Sequence, residues 1–377
     1  MHRHAAPVLR SLGKAMSTYS SAAAAAARLR NLFDAKDVAE LVDGIRHGQR
    51  LAVSRAITLV ESTRPQHKQS AAALLSQLSF RPGSAPPPLG LRVGISGPPG
   101  AGKSSLIEAL GCALVNAGEK VAVLAIDPSS AQTGGAILGD KTRMSKLSCL
   151  DGAFVRPTPS RGTLGGVARA TADAVAVCEA AGFTWTLIET VGVGQSEVAV
   201  SRLCDCMALV MPPVGGDELQ VIKRGITELA DLVVVNKADG PTQLAARRAA
   251  AAFRGTLHFH RAVRRAWTAR VQTASALTGE GVGALVDNLR EYRQALLASG
   301  ELQQLRRDQA IHLAWKAAEE GLLEDLRSSE GVQAALGTLR PQLAAGSLGV
   351  RPAAEAMLAA LRAEWSSGQG LVEGIRR

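Results

Sequence analysis

Nine consecutive residues constrain this chain more than any others: Gly97-Pro98-Pro99-Gly100-Ala101-Gly102-Lys103-Ser104-Ser105. A short apolar run, Leu91–Ile95, precedes them, and helical spacing follows through Val115. A strand that turns through glycines into a helix is a phosphate-binding loop in its required setting. The glycines let backbone N–H groups turn inward around an anion, and the helix adds its positive N-terminus. Lys103 then supplies a cation for the β- and γ-phosphates, and Ser104 a hydroxyl for Mg²⁺. A nucleoside triphosphate with Mg²⁺ is the expected ligand.

The rest of the pattern agrees with such a loop. Apolar runs at Val121–Ile126, Trp185–Ile188, Met207–Met211 and Leu232–Val235 alternate with helix-length segments, which predicts an α/β fold whose mostly parallel sheet is covered on both faces. Upstream, apolar residues from Val38 to Leu78 recur at helical spacing, and Gly83-Ser84-Ala85-Pro86-Pro87-Pro88 reads as a linker. Downstream of Asp287 the strand signals stop, and Leu289–Leu297, Leu302–Leu323 and Ala353–Leu361 read as helices. The expected organisation is a leader over 1–33, a helical segment over 34–82, a P-loop NTPase domain over 90–286 and a helical arm over 287–377.

Charge decides between partners. The 377-residue chain carries a net +10, and five of those charges (Arg3, Arg10, Lys14, Arg28 and Arg30) precede the first acid, Asp34, in a Ser- and Ala-rich stretch. That composition suits a mitochondrial presequence, with a chloroplast address the alternative, rather than a secretory signal. A second concentration, Arg247, Arg248, Arg254, Arg261, Arg264, Arg265 and Arg270, has only Phe253, Phe259 and Trp267 nearby. It reads as a solvated helix face and not as a nucleic-acid surface, which wants stacking aromatics. No run of about 18 apolar residues is present, so no transmembrane helix is expected. Of five cysteines, Cys204 and Cys206 lead into a buried strand and read as core thiols; an odd count without a secretory signal fits free thiols.

The base is indicated by Asn236-Lys237-Ala238-Asp239, placed after the run Val233–Val235. An aspartate there accepts both N1–H and the exocyclic amine of guanine, a donor pair that adenine lacks. Ser275-Ala276-Leu277, following Val271–Thr273, suits a loop closing over the guanine O6. GTP and GDP are therefore expected. Three acids are placed for metal or water: Asp127 and Glu189 at the ends of strands, where carboxylates face the ligand crevice of an open sheet, and Asp140 in a glycine-rich stretch. Mg²⁺ keeps several waters, so some of these act at one remove, with Glu189 the expected Walker-B-type acid.

These residues resemble the methylmalonyl-CoA mutase-associated GTPases, P-loop G proteins with glutamate in switch II. The resemblance rests on Asp127-Pro128-Ser129-Ser130, on the stretch from Gly134 to Met144, on Arg156 to Gly162, on Glu189-Thr190-Val191-Gly192-Val193-Gly194-Gln195-Ser196-Glu197, and on Gly215-Gly216-Asp217-Glu218-Leu219-Gln220. It implies a GTP-hydrolysing chaperone that gates adenosylcobalamin loading onto methylmalonyl-CoA mutase, guards the mutase, receives cobalamin from an adenosyltransferase, and forms a homodimer through the helical arms in the mitochondrial matrix. It also implies Ser104, Asp127, Asp140 and Glu189 as the Mg²⁺ site, Lys103 on phosphate, Asn236, Lys237 and Asp239 on guanine, and a third switch from Gly215 to about Arg224. Two departures, Val221 where the family usually has glycine and the lead-in Pro212-Pro213-Val214, touch partner coupling rather than nucleotide chemistry.

Phosphoryl transfer to water needs positioning and charge neutralisation more than covalent chemistry. Val193 occupies the position where many GTPases orient water with glutamine, and valine cannot do so; Gln195 is the candidate substitute. Slow intrinsic turnover, accelerated by a partner, is expected. Arg143 and Arg161 are candidates for phosphate contact, and equally for partner contact. A nickel or zinc metallochaperone GTPase and a P-loop kinase are the alternative functions. Cys112, Cys149 and Cys178 are too dispersed for the former, and no acceptor site beside the loop signals the latter.

Overall fold

A computed structural model describes residues 35–62, 64–79, 89–127, 144–159, 164–190, 200–213, 228–257 and 264–366. Helices α1 (Ala35–Arg46), α2 (Arg50–Val60) and α3 (Pro65–Leu78) lead in. There follow β1 (Leu91–Ser96), α4 (Lys103–Asn116), β2 (Val121–Asp127), the single turn α5 (Ser145–Ser148), β3 (Ala153–Pro159), α6 (Leu164–Ala180) and β4 (Trp185–Glu189). β5 (Cys206–Met211), β6 (Leu232–Val235), α7 (Gln243–Leu257), β7 (Arg270–Thr273) and α8 (Val282–Ala298) complete the sheet domain. Helices α9 (Glu301–Ser328), α10 (Glu330–Ala344) and α11 (Val350–Ser366) end the described chain.

The seven strands run in the order β3-β2-β4-β1-β5-β6-β7, every pair parallel. Successive side chains alternate between faces, and both faces are apolar, so the central strands read as continuous hydrophobic runs. Leu91, Val93, Ile95, Val123 and Leu187 meet α4 and α8 on one side; Ala122, Leu124, Ile126 and Ile188 meet α1, α2, α3 and α6 on the other. A third cluster packs Leu209, Met211, Val233 and Val235 against Ala246, Ala250 and Phe253 of α7.

β3 is the one strand that sequence periodicity leaves unmarked. Pro157 and Pro159 interrupt its apolar pattern, and the sheet tolerates them because β3 lies at an edge with one side unpaired. Two expected boundaries move. The helices of 34–82 do not stand apart: Val42, Ile45, Ile57 and Leu74 share a core with the sheet. At the other end, Leu289, Tyr292, Leu296 and Leu302 belong to the sheet's own core, so the helical arm begins not at 287 but after Gln303, where the chain divides into two compact units. The helix breaks at Ser299 and Gly300 (φ +74°), but Leu302 beyond the break still packs with α8 on the sheet, so the break does not mark where the arm begins.

The arginine concentration divides as well. Arg247, Arg248 and Arg254 are exposed on α7, as expected of a solvated face. Arg264 instead donates to the Tyr292 hydroxyl (3.1 Å) and pairs with Asp231 at 3.6 Å, where Asp231 is 2% exposed. The Asp231 carboxylate also accepts from the Met207 N–H at 2.8 Å, and Tyr292 donates to the Asp205 carbonyl at 2.5 Å. Burial, offset in part by Arg264, pushes Asp231 up to about 6. Arg270 stacks over Trp267 at 4.2 Å and pairs with Glu291. Cys178, Cys204 and Cys206 are buried thiols outside any disulfide, and desolvation raises their pKa values.

In the second unit α10 and α11 are locked together. Ser329 caps α10 by accepting from the Val332 N–H, and its hydroxyl donates to Glu364 of α11. Ile311, Trp315, Leu322 and Leu323 of α9 are exposed. No described helix is long and apolar enough to cross a membrane.

Candidate nucleotide site

β1 sits between β4 and β5, and the loop that leaves it must pass close to β5. A side chain on Gly97 would place its Cβ 2.0 Å from the Val210 carbonyl oxygen, at a φ of +150°. Gly102 begins α4 at φ +85°, and a Cβ there would lie 2.6 Å from Asn236 Nδ2. Both positions therefore require glycine. The loop brings Lys103 over itself: its Nζ, 8% exposed as a residue, donates to the Gly97 carbonyl at 2.8 Å and the Pro98 carbonyl at 3.3 Å.

Register places the acid. Ile95 of β1 is opposite Glu189 of β4, so the last residue of β4 stands beside the loop's entry. There the Ser104 hydroxyl donates to Glu189 Oε1 at 2.7 Å. Asp127 ends β2, two positions beyond Ala125, which pairs with Glu189. Its side chain, together with Asp140, Gln195, Val193, Arg143, Arg161, Val221 and the segment from Gly215 to Arg224, lies outside what the structure describes.

The loop after β6 and the loop after β7 are joined by side chains. Asn236, 1% exposed, donates from Nδ2 to the Ala101 carbonyl (3.0 Å) and the Gly102 carbonyl (3.2 Å), while its Oδ1 accepts from the Ala276 N–H at 3.1 Å. Its amide thus ties the phosphate loop to the Ser275-Ala276-Leu277 loop. The Ser275 hydroxyl donates to Asp239 and accepts from the Thr278 N–H at 3.1 Å, which aims the carboxylate. Lys237, at φ +57°, is the only positive-φ residue other than glycine among the described residues. Thr242, which no motif marked, donates to the carbonyls of Lys237 (2.5 Å) and Asp239 (2.8 Å) and so braces that turn.

A cleft of about 970 Å³ opens between these loops and α4. Gly102 and Ser105 line one part, and Asn236, Lys237, Asp239, Ala276 and Leu277 another. The structure therefore brings together the phosphate loop, Glu189 and both expected guanine segments. Glu108, Cys112 and Lys146 also line the cleft. The helical stripe Ser105, Glu108, Ala109 and Cys112 was visible in the sequence, but nothing there told which face of α4 the cleft would use.

The model for the family described as methylmalonyl Co-A mutase-associated GTPase MeaB matches residues 53–331. The chain is 46% identical over 318 residues to a probable GTPase of Mycobacterium tuberculosis, covering 84% of this chain and 93% of that one. It is 43% identical over 330 residues to the mouse protein called methylmalonic aciduria type A homolog, mitochondrial, covering 86% and 80%. Escherichia coli GTPase ArgK is 43% identical over 293 residues, covering 78% and 87%. A crystal structure of LAO/AO transport system kinase aligns with a TM-score of 0.65 at 32% identity, over 87% of this chain and 99% of that chain. With a P-loop sheet, a guanine-type loop pair and relatives of this closeness, the chain is a GTPase and belongs to the methylmalonyl-CoA mutase-associated GTPase family.

Proposed function

We propose that this GTPase gates adenosylcobalamin loading onto methylmalonyl-CoA mutase and protects the mutase, taking cobalamin from an adenosyltransferase. The observation that carries the reading is the family match over 53–331, joined to a cleft lined by Gly102 and Ser105 of the phosphate loop and by Asn236, Lys237, Asp239, Ala276 and Leu277 of the two base loops. Lys103 holds phosphate, Asp239 reads the guanine N1–H and amine, and Asn236 and Ser275 hold the base loops in place. The hydroxyl–carboxylate pair of Ser104 and Glu189 suits Mg²⁺, with Asp127 and Asp140 as the further expected ligands; bound there, Mg²⁺ would neutralise phosphate charge. Gln195 orients water in place of the valine at 193, turnover is slow without a partner, the protein is a homodimer, and it works in the mitochondrial matrix, a reading supported by the mouse relative, whose name calls that relative mitochondrial.

The test is GTP hydrolysis by the purified protein with and without methylmalonyl-CoA mutase, paired with recovery of partners on a non-hydrolysable GTP analogue. Slow basal turnover, stimulation by the mutase and recovery of the mutase are expected. Fast hydrolysis without a partner refutes the slow-switch reading. Recovery of a nickel or zinc enzyme, or transfer of labelled phosphate to anything but water, favours the metallochaperone or kinase reading instead.

A further inference from the structure

The cleft holds two carboxylates among its described lining residues, and only one of them is accounted for. Asp239 stands with Ser275 at the guanine end. The other is Glu108, on the α4 wall. A nucleotide whose phosphates lie in the loop ending at Ser104 and whose base lies at Asp239 must run its ribose through the cleft between the two. The α4 wall of that cleft is the stripe Ser105, Glu108, Ala109, Cys112, Ala113 and Asn116, spaced so that all six share one helix face. Ser105 is too short, Ala109, Cys112 and Ala113 offer no good acceptor for a pair of vicinal hydroxyls, and Asn116 lies at the far end of α4 from the phosphate loop, about 12 Å beyond Glu108 along the helix.

Glu108 is also held. Its Oε1 accepts the Lys146 backbone N–H at 2.8 Å from the first turn of α5, and the side chain is half-buried. An ionised carboxylate offers about four acceptor positions, so one bond to an N–H leaves capacity for two hydroxyl donors. Parallel α/β sheets that bind dinucleotides use an acidic side chain for ribose in the same chemical way.

We propose that Glu108 recognises the ribose 2′- and 3′-hydroxyls of the bound guanine nucleotide, so that the site selects ribonucleotides over their deoxy counterparts. This rests on the nucleotide cleft assigned above. Hydrogen bonds to a charged acceptor predict that the parent protein binds GDP about 10- to 100-fold more tightly than 2′,3′-dideoxy-GDP. E108A should remove most of that preference by weakening GDP while leaving dideoxy-GDP unchanged. E108Q keeps an oxygen for the Lys146 N–H, and with it the fold, and should show an intermediate preference.

Titration calorimetry of GDP, 2′-deoxy-GDP and dideoxy-GDP against the three proteins decides the matter. Equal binding of GDP and dideoxy-GDP by the parent overturns the proposal without any variant. Equal weakening of all three ligands by E108A and E108Q also overturns it, because that is what a purely structural clamp on α5 would do. Failure of the parent to bind GDP at all would instead take down the nucleotide assignment on which the proposal stands.

Discussion

Asn236→Ala removes a single side chain that ties two loops of the nucleotide site together. The amide makes three hydrogen bonds, to the carbonyls of Ala101 and Gly102 and from the Ala276 N–H, in a position 1% exposed. At about 1 kcal/mol net for each bond, the three together contribute roughly 3 kcal/mol to holding the site in its binding geometry. These bonds exist without nucleotide, so their loss divides between the stability of the free protein and the work of ordering the loops on binding. Chemical denaturation and GDP titration measured on the same samples should account for roughly 3 kcal/mol between them, equivalent to about 100-fold in affinity if it all fell on binding. Asn236→Asp sharpens the test. It keeps an acceptor for Ala276 but sets a carboxylate against two carbonyl oxygens, and it should be worse than alanine. An alanine variant that unfolds at the parent's denaturant concentration and binds GDP within about threefold would refute the staple, as would an aspartate variant better than alanine.

Gly97→Ala should abolish GDP binding and destabilise the protein by at least 1–3 kcal/mol, because strain at positive φ is joined by a collision with the Val210 carbonyl; Gly118→Ala, with φ +86° and open space around it, should cost only the strain, and comparing their denaturation curves checks this. Asp231, raised from 3.8 to about 6 chiefly by burial, holds its proton more tightly folded than unfolded, so its contribution is full below about pH 4 and is lost as pH rises through about 6. Roughly 3 kcal/mol of the stability difference between about pH 4 and pH 7 should disappear in Asp231→Asn, read by denaturation across that range. Cys112 lines the cleft and Cys149 is exposed, so GDP should slow alkylation of Cys112 and leave Cys149 unaffected, which peptide mapping after thiol labelling would show.

Much of this molecule was legible in its residues because the governing interactions are local. A glycine-rich turn between an apolar run and a helix, and Asn-Lys-Ala-Asp at the end of another run, dictate backbone conformation and donor pattern within a few positions. β1, β4, β5 and β6 were legible for the same reason: buried on both faces, they carry no competing periodicity. β3 was not, because its prolines are permitted only by its place at the edge of the sheet. The start of the helical arm was not, because Ser299-Gly300 marks a helix break but not that Leu289, Tyr292, Leu296 and Leu302, on both sides of it, pack on the sheet.

The same division runs through the site. The sequence by itself determined that a phosphate loop and a guanine-type loop are present and in what order, since each needs particular residue types at particular spacing. Only the tertiary structure decided that Asn236 bolts one loop to the other, that Arg264 is half-buried against Asp231 rather than solvated, and that Glu108 faces the cleft. Each of those depends on strand register or on which side of a helix is covered. Register and facing are set by the sum of many weak apolar contacts between residues far apart in the chain, and no short stretch of sequence carries that sum.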